Sequence, residues 1–451
     1  MAGPGAEREQ WGSRHGFVLA TIGSAVGLGN IWRFSYIAGE NGGGAFLIIY
    51  LVCVVLVGAP IVIAEIALGR AARSDAVSAF AHVAPKGPWA TAGWLGVAGA
   101  VLILSYYAVI AGWALKYFVG AAGGATWRQS AEEHGGFFAS FIANGWEPVA
   151  WQTAMMLATM LIVMGGIQRG IEAVNRWLMP LLALIVLAIA VYGMTLPGGS
   201  AAWRFLLAPD WTAFARPEVY AAALGQAFFS LGVGMAIFVT YGSYMPRSHN
   251  LPRSVTAIVA GDTLFAIVAG LAIFQAVFAF GLSPAAGPEL AFITLPQVFL
   301  VMPFGETVGT LFFFLLAAAA LTSMISLLEV PVAYLASRHA MRRRPAVLLT
   351  GAAIVALGIP SALSFGLLAE ATLGGKGFLD ALDQTVSNYL LPLAGLAVAL
   401  LVGWRWAARD ALDNADLDGR RFGRIWLLLV RYLVPAMILL ILYGALSGTW
   451  A

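Results

Sequence analysis

Within the apolar run AAAALTSMISLLEV, Ala319, Thr322 and Ser323 stand at i, i+3 and i+4 and so share one face of a helix. Two hydroxyls and a carbonyl on one face are hard oxygen ligands of the kind an alkali cation takes. The same hydroxyls also suit bonding back to the previous turn, and the spacing does not choose between the two. Asp262 sits in AIVAGDTLFAIVAG with no basic residue in its own stretch; a bound cation, a proton or a structural partner would each relieve it. The other charges inside apolar stretches are Arg33, Glu65, Glu329, Asp383 and Arg431, the last fitting a cation that snorkels or pairs structurally. Tyr107 in LSYYAVIAGW suits a packed aromatic as well as a ligand. No bond-making constellation accompanies them. His15, His82, His134, His249 and His339 lack metal-ligand spacing, and there is no GxxxxGK[ST] phosphate loop. The residues point to ion binding, not to an enzyme or an ATP-driven pump, with a gradient as the driving force.

Such residues need backbone to hold them. GSAVGLGNIWRF packs Gly23, Gly27 and Gly29 into one apolar segment, and GQAFFSLGVGMAIFVTYGSY places Gly232 and Gly234 near the middle of another. Each interior glycine weakens a helix by about 0.5–1 kcal/mol relative to alanine. One cluster alone also suits close helix packing; two, in the first and sixth spans, suit the discontinuous helices of an inverted repeat. A broken helix offers N–H groups at one end for a carboxylate and unpaired carbonyls at the other for a cation.

The chain is 61% hydrophobic and only 10% charged, which means membrane. We count eleven stretches able to fill a ~30 Å hydrocarbon core: roughly 15–37, 43–69, 89–121, 149–167, 174–196, 217–244, 254–282, 305–336, 346–366, 380–404 and 425–448. The predicted fold is therefore an all-α membrane protein, one transporter domain over 1–451. Repeat one runs over about 15–196, repeat two over about 217–404, and an extra helix over about 425–448. With the N-terminus in the cytoplasm, inner segments such as those around Arg70, Arg169, Arg247 and Arg342 to Arg344 hold 18 of the 25 Lys and Arg, while the outer loops keep only Arg128, Arg204, Arg216 and Lys376. An odd span count then puts the C-terminus outside. The first span is too long for a signal peptide and is read as retained; Cys53, the one cysteine, allows no intrachain disulfide and is expected to be a small core residue. The outer loop 283–304 is expected to carry a short lid-like helix. No nucleic-acid partner is called for, because the net charge of +3 is the topology signal itself.

The stretches GSAVGLGNIWRFSYIAGENGGGAF, EIALGR, SYYAVIAGW, RGIEAVNRWLMP, GQAFFSLGVGM, TYGSYMP, AFITLP, LTSMISLLEV and FLDALDQTVSN resemble, in order, those of the bacterial neurotransmitter:sodium symporters, the leucine-transporter-like group of sodium-coupled amino-acid transporters. The resemblance implies two sodium ions. One would meet the carbonyls of Gly23, Val26 and Ala319 with the hydroxyls of Thr322 and Ser323. The other would meet the Ala25 carbonyl, Asn30, Ser230, Asp262 and the carboxylate of the amino-acid substrate. That carboxylate would also reach the N–H groups of Leu28 and Gly29 and the Tyr107 hydroxyl. The substrate ammonium would face carbonyls of Ala25, Phe229, Ser230 and Gly232.

Gly27 stands where carriers of amines without a carboxylate have aspartate, so the resemblance favours an amino acid. Its side chain would enter an apolar pocket of Ile103, Phe229, Gly232, Met235, Ser323 and Leu327, which suits a hydrophobic or aromatic one. Asp262 supplies a built-in negative charge, so transport is expected to be chloride-independent. Arg33 and Asp383 would form an outer ion pair with Phe229 as the lid. Arg8, Trp11, Ser243 and Tyr244 would form the inner gate, and Glu65 would brace the unwound sixth span. Where the family places an acidic partner for Arg8 the chain has Ser337-Arg338, and Glu329 is the nearest substitute. The place implied is the bacterial inner membrane, with lipid as surroundings and the oligomeric state left open. Two alternatives stay open: a proton-coupled transporter of the same fold, which leaves Thr322 and Ser323 unexplained, and a non-transporting sensor, which would want a cytoplasmic signalling domain.

Overall fold

The structure, a computed structural model, describes residues 9–128, 133–281, 291–419 and 421–447. The first element is bent. α1 (Arg14–Ala25) and α2 (Gly29–Glu40) meet at 58°, too sharp for one straight helix. Next come α3 (Gly44–Ala72), α4 (Trp89–Ala122), α5 (Glu147–Met164) and α6 (Ile167–Gly193). The second half also opens on an interruption, between α7 (Pro217–Leu231) and α8 (Ile237–Ser243). It continues with α9 (Leu251–Ala279), α10 (Gly305–Arg338), α11 (Arg343–Leu363) and α12 (Phe378–Arg405), and α13 (Arg421–Ser447) is added outside the repeat.

Among the described residues nine helices are long and apolar enough to cross a membrane, and the bent α1–α2 pair makes a tenth. The eleventh expected span is the interrupted 217–243 segment, whose halves of 15 and 7 residues are each too short to qualify alone. Two interrupted helices in matching positions are the mark of a five-plus-five inverted repeat.

Both breaks have local causes. α1 closes its last turn with the Val26 N–H on the Ile22 carbonyl at 2.7 Å, and Val26 itself then turns extended at φ −71°, ψ 106°. The Gly27 N–H, left without a helical acceptor, is taken by the Asn30 side chain at 3.1 Å. In the second break Gly232, Gly234 and Ala236 all have positive φ, at 72°, 83° and 57°. Gly234 is required twice over, since a Cβ there would also lie 2.5 Å from the Leu391 carbonyl.

Burial separates scaffold from periphery. The apolar windows of α10 and α4 are 83% and 78% buried, whereas those of α6 and α13 are 33% buried. The two long central helices therefore wall the site, and the peripheral ones turn most of their apolar surface outward. The short helix expected in 283–304 is present at Thr294–Val301, while residues 282–290 lie outside the described residues.

Candidate functional site

Asn30, on the first turn of α2, is buried and pinned from both ends. Its Oδ1 accepts the Gly27 N–H, and its Nδ2 reaches Asp262 Oδ1 at 2.7 Å, Ser230 Oγ at 3.1 Å and the Asp262 carbonyl at 3.3 Å. Ser230, on the last turn of α7, donates to Asp262 Oδ2 at 2.9 Å. Asp262 on α9 is fully buried, and none of the ion pairs among the described residues involves it. A carboxylate out of water with two neutral donors and no cation is the least compensated way to hold a charge. Asn30 Oδ1 and the carboxylate oxygens keep lone pairs beyond those bonds, so the cluster fits a small hard cation.

A second oxygen cluster lies where α10 passes the break at Val26. Thr322 Oγ1 donates to the Ala319 carbonyl at 2.8 Å and lies 3.5 Å from the Val26 carbonyl. Ser323 Oγ lies 3.1 Å from the Ser24 carbonyl and 3.5 Å from those of Val26 and Ala319. Back-bonding and convergence on the break are therefore both present, the first fixing rotamers that deliver the second. Gly23 lies in α1 against α6, where a Cβ would stand 2.1 Å from Asn175 Oδ1.

The two breaks border a small cavity of about 40 Å³. Of the residues expected to meet substrate, Ala25, Gly29, Ile103, Tyr107, Phe229, Ser230, Gly232, Met235, Ser323 and Leu327 all line it. Leu28 does not; it lines a larger vestibule of about 540 Å³, while its N–H donates to Tyr107 Oη at 3.1 Å. Gly29, Tyr107 and Phe229 line both spaces and so form the wall between them. Gly27 has no room for a side chain, because a Cβ would lie 2.6 Å from Ser323 Oγ and 2.7 Å from Tyr107 Oη.

Arg33 and Asp383 both face the vestibule, but no ion pair joins them. The Arg33 guanidinium lies over the Phe229 ring at 4.2 Å from its centroid and 3.5 Å from Gln226 Oε1. Asp383 accepts from the Tyr106 hydroxyl at 2.9 Å and from Ser387 Oγ at 3.2 Å. Gln226, which the sequence reading passed over, also donates to the Gly29 carbonyl at 3.1 Å and so ties α7 to the start of α2. Its only signal was a polar residue one turn before Ser230. Glu65 accepts the Gly234 N–H at 2.8 Å, deep in the second break.

At the opposite, arginine-rich end, the Trp11 N–H and indole Nε1–H donate to the carbonyls of Tyr244 and Tyr241. The Ser243 hydroxyl donates to the Thr240 carbonyl, and the Tyr244 hydroxyl donates to Glu329 Oε1 at 2.8 Å. Arg8 lies outside the described residues. Glu329, buried on α10, pairs with Arg343 at 2.6 Å, and Arg343 also reaches Glu9 at 3.3 Å. Ser337 instead donates to Asp75 at 2.5 Å. The sequence reading had counted Arg343 only as a topology charge.

The model of the sodium:neurotransmitter symporter family matches residues 8–134 and 142–448. A sodium-dependent transporter of Bacillus subtilis (strain 168) is 41% identical over 448 residues, covering 97% of this chain and 98% of that protein. The human sodium- and chloride-dependent GABA transporter 2 is 28% identical over 469 residues, covering 92% and 76%. Among solved structures, that of MhsT in complex with L-phenylalanine superposes with a TM-score of 0.91 at 50% identity, covering 97% of this chain and all of that one.

Proposed function

The chain belongs to the sodium:neurotransmitter symporter family, and from that premise we propose that this multi-pass membrane transporter couples the inward sodium gradient to uptake of a hydrophobic or aromatic amino acid by alternating access, without chloride. The observation that carries the reading is the buried Asp262 carboxylate, held by Asn30 and by Ser230 and by no cationic side chain, with Ser230 itself lining an apolar cavity between two broken helices. A sodium ion there would take oxygens of the Ala25 carbonyl, Asn30, Ser230, Asp262 and the substrate carboxylate. The second ion would take carbonyls of Gly23, Val26 and Ala319 with Thr322 and Ser323. The substrate carboxylate would be met by the N–H groups of Leu28 and Gly29 and by Tyr107, and its side chain would enter between Ile103, Met235 and Leu327.

That MhsT was solved with L-phenylalanine supports an aromatic or hydrophobic substrate. The missing Arg33–Asp383 pair and the vestibule above Phe229 support an outer gate that closes over bound substrate, with Trp11, Tyr244 and Arg8 at the inner one. We place the N-terminus in the cytoplasm of a bacterial inner membrane, the C-terminus outside, and the repeats over 15–196 and 217–404. The absence of chloride dependence rests on Asp262 serving as the fixed negative charge.

Reconstitution in liposomes and uptake of each of the twenty amino acids, with and without a sodium gradient, tests the reading. Concentrative, sodium-dependent uptake of hydrophobic amino acids supports it. Uptake confined to charged amino acids overturns the pocket assignment, and collapse on replacing chloride by gluconate overturns chloride independence.

A further inference from the structure

Arg431 is used by neither cavity. It is the eleventh residue of α13, so it lies about 15 Å along the axis from Arg421, well within a helix long enough to cross a ~30 Å core. Its Nε donates to the Gly403 carbonyl of α12 at 2.6 Å, a close approach that Gly403 permits because a Cβ there would lie 3.0 Å from Arg431 Cα. No other hydrogen bond of the guanidinium and no carboxylate pair is made among the described residues, and its Nη atoms are not among the buried ones. Of five donors, four are left without a protein acceptor among the described residues.

The surface of the α12–α13 pair is built around the cation. Trp404 is 59% exposed and Tyr432 54% exposed, their rings 5.4 Å apart edge to face, and the guanidinium carbon lies 5.7 Å from the Trp404 ring. The Trp404 indole donates to the Arg431 carbonyl at 2.9 Å, which fixes the ring in place. Two turns toward the arginine-rich end, Arg424 is exposed on the same face of the helix. A guanidinium with no carboxylate partner suits an anion, its fork matches a phosphate bidentately, and flanking Trp and Tyr are the rings that lie at headgroup level.

We propose that the face where α12 packs on α13, formed by Arg431, Trp404 and Tyr432, binds the phosphate of an anionic phospholipid at headgroup level. The occupant is a lipid rather than a free anion, because the rings flanking the fork, Trp404 and Tyr432, are exposed on a pair of helices that each span the membrane.

Native mass spectrometry of the purified full chain, titrated with phosphatidylglycerol or phosphatidylcholine, reads this directly. The wild-type protein retains phosphatidylglycerol preferentially, and Arg431→Gln weakens that retention by about tenfold, the loss of one charge-assisted contact. Arg431→Lys, which keeps the charge but not the fork, falls between. Trp404→Ala weakens retention while leaving the Gly403 contact intact, so it gives the answer even if Arg431→Gln does not fold. Arg253→Gln, an exposed arginine on α9, changes nothing. Equal retention of the two lipids by the wild type, full retention by Trp404→Ala and Arg431→Lys, or displacement by inorganic phosphate overturns the proposal. So does a loss of self-association, rather than of lipid, in Arg431→Gln, which would assign the face to a second copy of the chain.

Discussion

Asp262→Asn is the most informative single change, because the structure allows it almost without steric cost. The carboxylate is fully buried and accepts from Asn30 Nδ2 at 2.7 Å and Ser230 Oγ at 2.9 Å. A carboxamide in the same place can turn its oxygen to Asn30 and its NH₂ to Ser230, whose hydroxyl already accepts from Asn30 and would accept this donor too by turning its own proton away. The fold should therefore survive, and removing a buried charge that lacks a cationic partner should leave stability equal or slightly higher. What is lost is the charge seen by a cation. A charge-assisted contact is roughly twice as strong as a neutral one, and contacts to charged groups are worth about 1.5–3 kcal/mol. A net loss of about 2 kcal/mol corresponds to roughly 30-fold weaker sodium binding. The assay is a sodium titration of amino-acid binding to the purified protein, with thermal unfolding measured on the same sample. The half-saturating sodium concentration should rise about 30-fold with the unfolding midpoint held. A sodium dependence unchanged within about twofold, in a variant that unfolds at the wild-type temperature, would refute the assignment of Asp262 to the ion.

Gly27→Ala should cut both sodium and amino-acid affinity at least about tenfold, since its Cβ would stand 2.6 Å from Ser323 Oγ and 2.7 Å from Tyr107 Oη and must push one of them aside; paired sodium and substrate titrations check it. Glu65→Ala leaves the Gly234 N–H buried without an acceptor and should lower stability by about 1–3 kcal/mol, read as a fall in the unfolding midpoint that Glu65→Gln largely avoids. Arg343→Gln strands a fully buried Glu329 carboxylate and should cost about 3–5 kcal/mol. Adding Glu329→Gln should restore most of that loss, and a double variant no more stable than the single one would show that the pair does not carry the effect.

What the sequence made legible was whatever depends on composition and short spacing. Glycine clusters marked both breaks, and Thr322 and Ser323 were placed on one face by their three- and four-residue distance from Ala319. Asp262 stood out because a carboxylate in an apolar run is costly wherever it points. Illegible was whatever depends on how non-neighbouring helices cross. Ala236 carries a left-handed φ that its side chain does not favour, so nothing in the sequence marked that residue. Leu28 and Gly29 are adjacent, yet Leu28 faces the vestibule and Gly29 both spaces, which only the 58° bend decides. Opposite charges suggested Arg33 with Asp383, whereas the crossing of α4 and α12 gives Asp383 the Tyr106 hydroxyl. Arg343 looked like one of three loop arginines, and only the turn from α10 into α11 brings it back onto Glu329.

The break between α1 and α2 explains why ion and substrate would act together in this chain. Five residues, Val26 to Asn30, touch every wall of the site. Val26 offers its carbonyl to Thr322 and Ser323 of α10, Leu28 gives its N–H to Tyr107 of α4, and Asn30 holds Ser230 of α7 and Asp262 of α9. Regular helix would satisfy these groups within α1 and α2 and leave none for the neighbours. Because α1 ends at Ala25 and Val26 turns extended, the Val26 carbonyl and the Leu28 N–H are held by other elements. Any swing of α1 against α10 must lengthen the Val26 and Ser24 contacts first, since those are the bonds that cross that interface. An ion lodged among them, as proposed, would resist the swing, and its departure would remove that resistance. The break beside Gly27 and Gly29 thus frees backbone groups that reach the neighbouring elements.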